Sequence, residues 1–176
     1  MANWKEEKLD DYSVIGVDVG STATGFCRIR QGLVATHQIR PKGDLLERCI
    51  AIRAELRLLL AGSGKVDIIC VEKPYSMGMK AAKALAAASI FIEEAIYQEL
   101  LTDKMVMVPP AVWQKYVRDN VPGLDLKNPG RIKGKTKKVL HTALSASVAP
   151  GISTDESDAY WLARYGYDLK GKEGAN

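Results

Sequence analysis

The stretch "VDIICVE" at 66–72 constrains the fold most, because it is apolar almost without interruption. A strand of this kind is buried on both faces, which is typical of the interior of a sheet that helices cover on each side. A second β-branched run, "SVIGVDV" at 13–19, is followed by the turn signal "GST". Two such strands predict an α/β domain.

The order of the remaining elements predicts how the sheet is connected. "TGFCRIR" and "LVATHQI" follow the first strand and are separated by "QG", so three consecutive strands open the fold. Helices and strands then alternate: a helix after the N-cap candidate Asp44, the strand at 66–72, an alanine-rich helix at 80–101, a strand at 104–108 and a helix at 111–117. A basic loop, the helical pattern "TKKVLHTALSASV" and a last helix capped by Thr154 and running through "ESDAYWLARYG" complete the chain.

This order predicts a mixed five-stranded sheet flanked by helices, in which a three-stranded antiparallel meander is joined to two parallel strands by right-handed crossovers. The length of 176 residues suits one domain. We expect that domain to span 13–168, between a flexible N-terminal tail at 1–12 and a C-terminal tail at 169–176.

Positive charge is concentrated in one place. The stretch Lys127–Lys138 holds six basic residues and no acid, whereas the net charge of the whole chain is only +4. Such a patch predicts contact with a polyanion on one side of the protein, although a solvated basic loop without a partner is the alternative. The candidate polyanion-binding residues in this stretch are Arg131, Lys133, Lys135, Lys137 and Lys138.

Cysteine usage and hydropathy indicate the compartment. Cys27, Cys49 and Cys70 lie apart in apolar segments without a CxxC spacing, so we interpret them as buried thiols in a reducing environment and do not expect zinc. No apolar run is long enough to cross a membrane, and the charged start "MANWKEEKLDDY" is unlike a signal peptide. These features predict a cytoplasmic protein without a membrane partner.

Four carboxylates are predicted to converge at one end of the sheet. Asp18 and Glu72 stand at the ends of the first and fourth strands, which can lie side by side, and ligands of α/β folds bind at this edge. Asp155 and Asp158 are spaced i, i+3 at a helix start and therefore share one face of that helix. Glu156 points away from that face and is expected to be solvated.

Carboxylates gathered in this way repel one another. Two like charges ~4 Å apart repel by about 4 kcal/mol at an effective dielectric near 20, so such a cluster would raise the pKa values of its members or else hold divalent cations that neutralise it. An all-oxygen donor set favours Mg²⁺ or Mn²⁺, and a pair of such ions is the usual apparatus for phosphodiester hydrolysis. The alternatives are that Asp18 forms a turn and that Asp155 only favours the helix N-terminus through the dipole.

Three motifs, "IGVDVGSTATG", "CVEKPY" and "DESDAYWLA", closely resemble the acidic motifs of RuvC-type Holliday junction resolvases in the RNase H-like superfamily. The resemblance spans roughly 14–165 and implies an RNase H-like fold with Asp18, Glu72, Asp155 and Asp158 as catalytic metal ligands. It also implies two Mg²⁺ or Mn²⁺ ions per active site and a branched DNA substrate that is cut by paired symmetric nicks.

The resemblance extends to residues that would contact DNA or a second copy of the chain. Tyr75 falls where the family carries an aromatic residue that stacks at the junction centre, unless it packs under its own loop. The family's DNA-contacting lysine falls on Lys137 or Lys138, and helical register slightly favours Lys137. Dimerisation is implied through the helix at about 80–101, for which Ala84 and Ala88 are candidate contact residues. A proline at 74 and a charged N-terminal extension depart from the family, and the overall pattern looks more like a phage or other divergent member, which would act in the host cytoplasm.

Three other functions are compatible with parts of the pattern. "GVDVGSTATG" also resembles the first phosphate loop of actin and sugar-kinase ATPases, but those proteins need a second related domain for which 176 residues leave no room. A nuclease acting on an RNA–DNA hybrid or on structured RNA is the main alternative. A DNA-binding protein with a decayed site is the third, and four intact acids argue against it.

Overall fold

A computed structural model describes residues 12–75, 78–99, 104–120 and 151–173 of the chain. Five strands form one sheet: β1 (Ser13–Asp18), β2 (Thr24–Arg30), β3 (Leu33–Ile39), β4 (Ile68–Glu72) and β5 (Met105–Val108). Their order across the sheet is β3-β2-β1-β4-β5. The basic stretch at 127–138, and the helix predicted after it, lie outside the described residues.

The sheet is mixed in the way that the sequence predicts. β1, β2 and β3 form an antiparallel meander, and β4 and β5 run parallel to β1. The first and fourth strands are therefore neighbours, with Val14 opposite Ile68 and Val17 opposite Val71. The predicted five-stranded architecture is confirmed.

Four helices are described: α1 (Leu45–Ala61), α2 (Met79–Glu99), α3 (Pro110–Asn120) and α4 (Thr154–Glu173). α1 begins at the predicted N-cap Asp44, whose side chain accepts from the backbone N–H of Glu47 while the Glu47 carboxylate accepts from that of Asp44. This reciprocal pair satisfies two of the backbone donors that a helix start leaves unpaired. No helix in the described ranges is long and apolar enough to span a membrane.

Each face of the sheet has its own hydrophobic core. The first core cluster joins the sheet to α1 and α2 and includes Ile15, Val17, Ile52, Leu56, Val71, Ala88 and Ile92. The second core cluster joins the sheet to α3 and α4 and includes Val14, Cys27, Cys70, Val108, Trp113, Trp161 and Leu162. Because successive strand residues point to opposite faces, each strand of the centre contributes alternately to both clusters.

Residues just beyond both predicted bounds of the domain, 13 and 168, pack against it. α4 continues to Glu173, so the predicted end of the last helix near Gly166 is wrong. Leu169 packs against the second core cluster. A Cβ at Gly166 would come within 2.7 Å of the Cys70 sulfur. This glycine therefore permits close helix–sheet packing rather than ending the helix. Tyr12, expected in the N-terminal tail, packs edge-to-face on Tyr167.

The alanine-rich helix needs a similar correction. Ala88 and Ile92 of α2 are fully buried in the first core cluster, and Ala84 is half-buried. Ala88 therefore packs against its own domain and does not face a partner molecule. The side chains that α2 exposes include Ala86 and Ile90.

Candidate active site

Strand register places one row of residues across the end of the sheet. We call it the terminal row; from β3 to β5 it consists of Gln38, Gly25, Asp18, Glu72 and Val108. Gly25 pairs with both Gln38 and Asp18, and Glu72 pairs with Val108. Val17 of β1 pairs with Val71 of β4, and the next residues on these strands are Asp18 and Glu72. The two predicted acids are therefore level with each other on neighbouring parallel strands, about 4.8 Å apart in the backbone.

The terminal row faces α3 and α4. Along β4, Glu72 stands two positions after Cys70, a member of the second core cluster, and strand side chains two positions apart share a face. Along β1, Asp18 stands two positions after Gly16, over which the backbone of α4 passes. Both carboxylates therefore project from the face on which the last helix lies.

Two glycines let α4 rest directly on the strands. A Cβ built on Gly25 would lie 1.9 Å from the Asp155 carbonyl oxygen, and one on Gly16 would lie 2.0 Å from that of Ala159. Contacts this short mean that a side chain at either position would force α4 and the strands apart. Because Gly25 is the strand partner of Asp18, the first turn of α4, which carries Asp155 and Asp158, lies beside the acids of the sheet.

The four acids differ in burial and partners. Asp18 and Asp158 are only 9% and 8% exposed, whereas Glu72 and Asp155 are half-buried. The indole N–H of Trp113 donates to Glu72 Oε1 at 3.2 Å, and the side-chain amide of Gln38 donates to Asp155 Oδ2 at 2.5 Å. The described contacts thus engage one oxygen of each half-buried carboxylate.

The protein interior immediately beneath the terminal row is apolar. Cys27 and Cys70 flank Gly16 on the two neighbouring strands and belong to the second core cluster. Burial raises the pKa of the Cys70 thiol to about 12 and also raises that of Cys27. Both cysteines are free thiols, as predicted. The carboxylates of the terminal row therefore lie at the ends of their strands, next to an apolar interior.

Ser153 and Glu156 form a capping box at the start of α4. The Glu156 backbone N–H donates to Ser153 Oγ at 3.2 Å, and the Glu156 carboxylate accepts from the Ser153 backbone N–H at 2.8 Å. Burial raises the pKa of Glu156, but hydrogen bonds from Ser153 and Thr36 and the nearby His37 together lower it below its ordinary value. The prediction of a solvated Glu156 is wrong, and so is the prediction of Thr154 as the cap, because the S-x-x-E spacing of a capping box starts at Ser153.

The donor chemistry of the four acids fits a hard divalent cation, since all ligands would be carboxylate oxygens. They belong to the terminal row and to the helix turn beside it. Within the described ranges, however, no three Asp, Glu, His or Cys side chains are grouped so that they could hold a metal ion. The structure therefore brings the backbone positions of the four acids together without closing their side chains around one point.

The predicted DNA-contacting residues are only partly described. Tyr75 follows β4 by three residues and is 69% exposed, so it does not pack under its own loop. Arg131, Lys133, Lys135, Lys137 and Lys138 lie outside the described residues.

Gln38 and Trp113 are contacts of the acids that sequence reasoning missed. Gln38 occupies a polar position of an alternating edge strand, and Trp113 has the pattern of a core residue. Neither pattern contains a signal of its role, because each role depends on a residue far away in sequence: 117 positions for Gln38 and 41 for Trp113. The capping box, in contrast, was readable from "STDE".

Comparison with known proteins finds similarity in structure only. No family model and no curated protein sequence matches the chain. Thermus thermophilus RuvC, solved in complex with a Holliday junction substrate, is similar at a TM-score of 0.66 and 14% identity over 91% of this chain and 96% of RuvC. A second Thermus thermophilus RuvC structure gives 0.62 and 17% over 91% and 97%.

A third similar solved structure comes from yeast. The yeast mitochondrial Holliday junction resolvase matches at a TM-score of 0.56 and 10% identity, over 94% of this chain and 85% of the resolvase. All three similarities cover more than nine tenths of this chain. The chain therefore has the RNase H-like fold of RuvC-type Holliday junction resolvases.

Proposed function

We propose that this protein is a divalent-metal-dependent endonuclease that resolves four-way DNA junctions by paired symmetric nicks. The observation that carries the proposal is the terminal row, in which Asp18 and Glu72 stand side by side where α4 presents Asp155 and Asp158. Four carboxylates beside an apolar interior have little value for packing. They suit the binding of cations at a site of phosphodiester hydrolysis.

The four acids have a common role in this proposal. Asp18, Glu72, Asp155 and Asp158 would hold two Mg²⁺ or Mn²⁺ ions, which when bound activate water and stabilise the leaving oxygen. The chain contributes the positions of these ligands. The two glycines under α4 fix the distance between helix and sheet, and the second core cluster limits water below the row.

The substrate is proposed from the exposed surface near the row and from the fold. The RuvC structure with a Holliday junction substrate supports branched DNA as the ligand class. Tyr75 is exposed close to Glu72 and is suited to stack on an unpaired base, a contact that contributes about 1–3 kcal/mol. The basic residues at 127–138 would neutralise phosphates.

The contribution of the basic stretch can be measured through salt dependence. Each of the five candidate residues from Arg131 to Lys138, changed singly to Ala, should reduce the log–log slope of junction binding against salt by up to about one unit. Lys115, which pairs with Asp119 on the exposed side of α3, provides the control. Slopes equal to that of the wild type across the set would make this stretch a solvated loop.

A homodimer is proposed because resolution requires two opposed nicks and one domain offers one site. α2 exposes a stripe with the 3–4 spacing of a coiled-coil seam, formed by Met79, Lys83, Ala86, Ile90 and Tyr97. Ile90 is 65% exposed near the middle of this stripe. Burial of such a stripe against a second copy would remove apolar surface from water.

The dimer proposal is tested by changing the stripe without touching the core. Ile90→Glu should give a folded monomer that binds junctions poorly and does not make paired nicks. Exposed Leu58→Glu on α1 is the matched control and should stay dimeric. A wild-type monomer, free and on junction DNA, that still makes two symmetric cuts would contradict the proposal.

Cleavage of matched substrates tests the proposed activity. A four-way DNA junction, an RNA–DNA hybrid, a structured RNA and a plain duplex are incubated with the protein in Mg²⁺, in Mn²⁺ and in EDTA. We expect metal-dependent cleavage of the junction well above that of the duplex. Preferential cleavage of the hybrid or the RNA would assign the alternative function, a nuclease of the same chemistry with another substrate.

A further inference from the structure

Two of the four acids are each held by a neutral N–H donor from outside the motifs that carry the acids. Trp113 of α3 donates to Glu72, and Gln38 of β3 donates to Asp155. β3 is one edge strand of the sheet, and α3 directly follows β5, the other edge strand. The donors therefore approach the acids from opposite sides of the terminal row.

The Trp113 donor is fixed in direction. Its ring is 1% exposed within the second core cluster, so the indole cannot turn without disturbing that packing. The hydrogen bond uses Oε1 of Glu72 at 3.2 Å. An oriented donor on one carboxylate oxygen restricts rotation of the group and determines where the other oxygen points.

Gln38 acts in the same way on α4. It is the strand partner of Gly25, the residue over which the Asp155 backbone passes, and its amide reaches Asp155 Oδ2 at 2.5 Å. Both donors are uncharged, unlike Lys or Arg. They can therefore orient an anionic ligand without adding a positive charge that would repel a cation.

We propose that Gln38 and Trp113 are positioning residues that orient Asp155 and Glu72 as ligands of the divalent ions. This inference rests on the proposed function. Partners that hydrogen-bond to metal ligands typically change metal affinity by about 10–100-fold when they are removed. The role also explains why these two carboxylates accept hydrogen bonds from neutral N–H donors rather than from lysine or arginine side chains.

The test is Mn²⁺ binding to the free full-length protein, measured by electron paramagnetic resonance of the unbound ion. Trp113→Phe retains an aromatic ring but removes the indole N–H, and Gln38→Met retains the chain length but removes the amide. Each variant should weaken Mn²⁺ binding by about 10–100-fold. In junction cleavage, the Mn²⁺ concentration for half-maximal rate should rise while the rate at saturating Mn²⁺ largely recovers, which loss of folding alone would not produce.

Trp161→Phe is the matched control, because its buried indole nitrogen has no hydrogen-bond partner among the described residues and its ring lies in the same cluster. We expect its Mn²⁺ affinity to equal that of the wild type. Wild-type affinity in both Trp113→Phe and Gln38→Met, or equal weakening in Trp161→Phe, would overturn the inference alone. Wild-type protein whose Mn²⁺ binding is unaffected by Asp18→Asn would overturn the proposed metal site together with it.

Discussion

The two faces of the sheet use the same strands for different purposes. On the α1/α2 face, side chains such as Val17 and Val71 separate the helices from the strands and form an apolar core. On the α3/α4 face, α4 rests directly on the backbone of two glycines. The residue that follows each of the two valines, Asp18 or Glu72, is an acid on this face. The comparison teaches that one face supplies stability, whereas the other positions charged groups through backbone contact.

The largest effect should come from the carboxylates of the α3/α4 face. Single replacement of Asp18, Glu72, Asp155 or Asp158 by Asn or Gln removes a charged ligand and retains the shape, so cleavage should fall by several orders of magnitude. Junction binding should persist or tighten, because less negative charge faces phosphate. Rates are measured in single turnover, with affinity by gel shift.

Asp119→Asn is the control for these variants, because Asp119 is an exposed carboxylate on the same face that pairs only with a surface lysine in the contacts described. Its cleavage rate should be that of the wild type. An acid of the site whose replacement cuts as fast as Asp119→Asn does not belong to the site.

Changing Gly25, on which the first turn of α4 rests, should have the next largest effect. Gly25→Ala introduces a Cβ where the Asp155 carbonyl oxygen lies, so the first turn of α4 must move away from Asp18. A displacement of about 1 Å at a catalytic group can reduce the rate by about 100-fold. Gly171→Ala, on the same helix with no atom within 4 Å of the new Cβ, should leave cleavage unchanged. Equal rates in the two variants would mean that contact with Gly25 does not position the acids.

A core mutation on the α1/α2 face should lower the stability of the protein without changing its cleavage rate. Leu56 of α1 is fully buried in the first core cluster, so Leu56→Ala should lower the free energy of unfolding by about 2–5 kcal/mol. Denaturant titration measures this loss. At temperatures where the variant remains folded, its cleavage rate and metal dependence should match those of the wild type. A rate loss that persists in the fully folded variant would show that the two faces are coupled.

The smallest effects concern the start of α4. Ser153→Ala removes one half of the capping box and should cost about 1 kcal/mol of stability. Glu156 has a lowered pKa in the folded protein, so its contribution to stability is complete above the ordinary glutamate pKa and is lost as pH falls through the lowered value. Glu156→Gln should therefore make the loss of stability as the pH falls below the ordinary glutamate pKa shallower, as followed by thermal unfolding. An unchanged acid profile would remove Glu156 from the cap.

The fold and the placement of the four acids were largely predictable, because both depend on local patterns. Uninterrupted apolar strands place Asp18 and Glu72 at the sheet edge, and the i, i+3 spacing places Asp155 and Asp158 on one helix turn. The continuation of α4 past Gly166 was missed because the close approach of Gly166 to the sheet depends on tertiary structure. The contacts of Gln38 and Trp113 depend on tertiary structure, which no local pattern encodes.

The central claim is tested most directly by mapping the nicks that the protein makes in a synthetic four-way junction. In Mg²⁺, we expect wild-type protein to cut two opposed strands at symmetric positions, and we expect no cleavage in EDTA or with Asp18→Asn at equal junction binding. Cleavage that continues in EDTA, or that is as fast with Asp18→Asn as with the wild type, would contradict the assignment of metal-dependent junction cleavage to the terminal row.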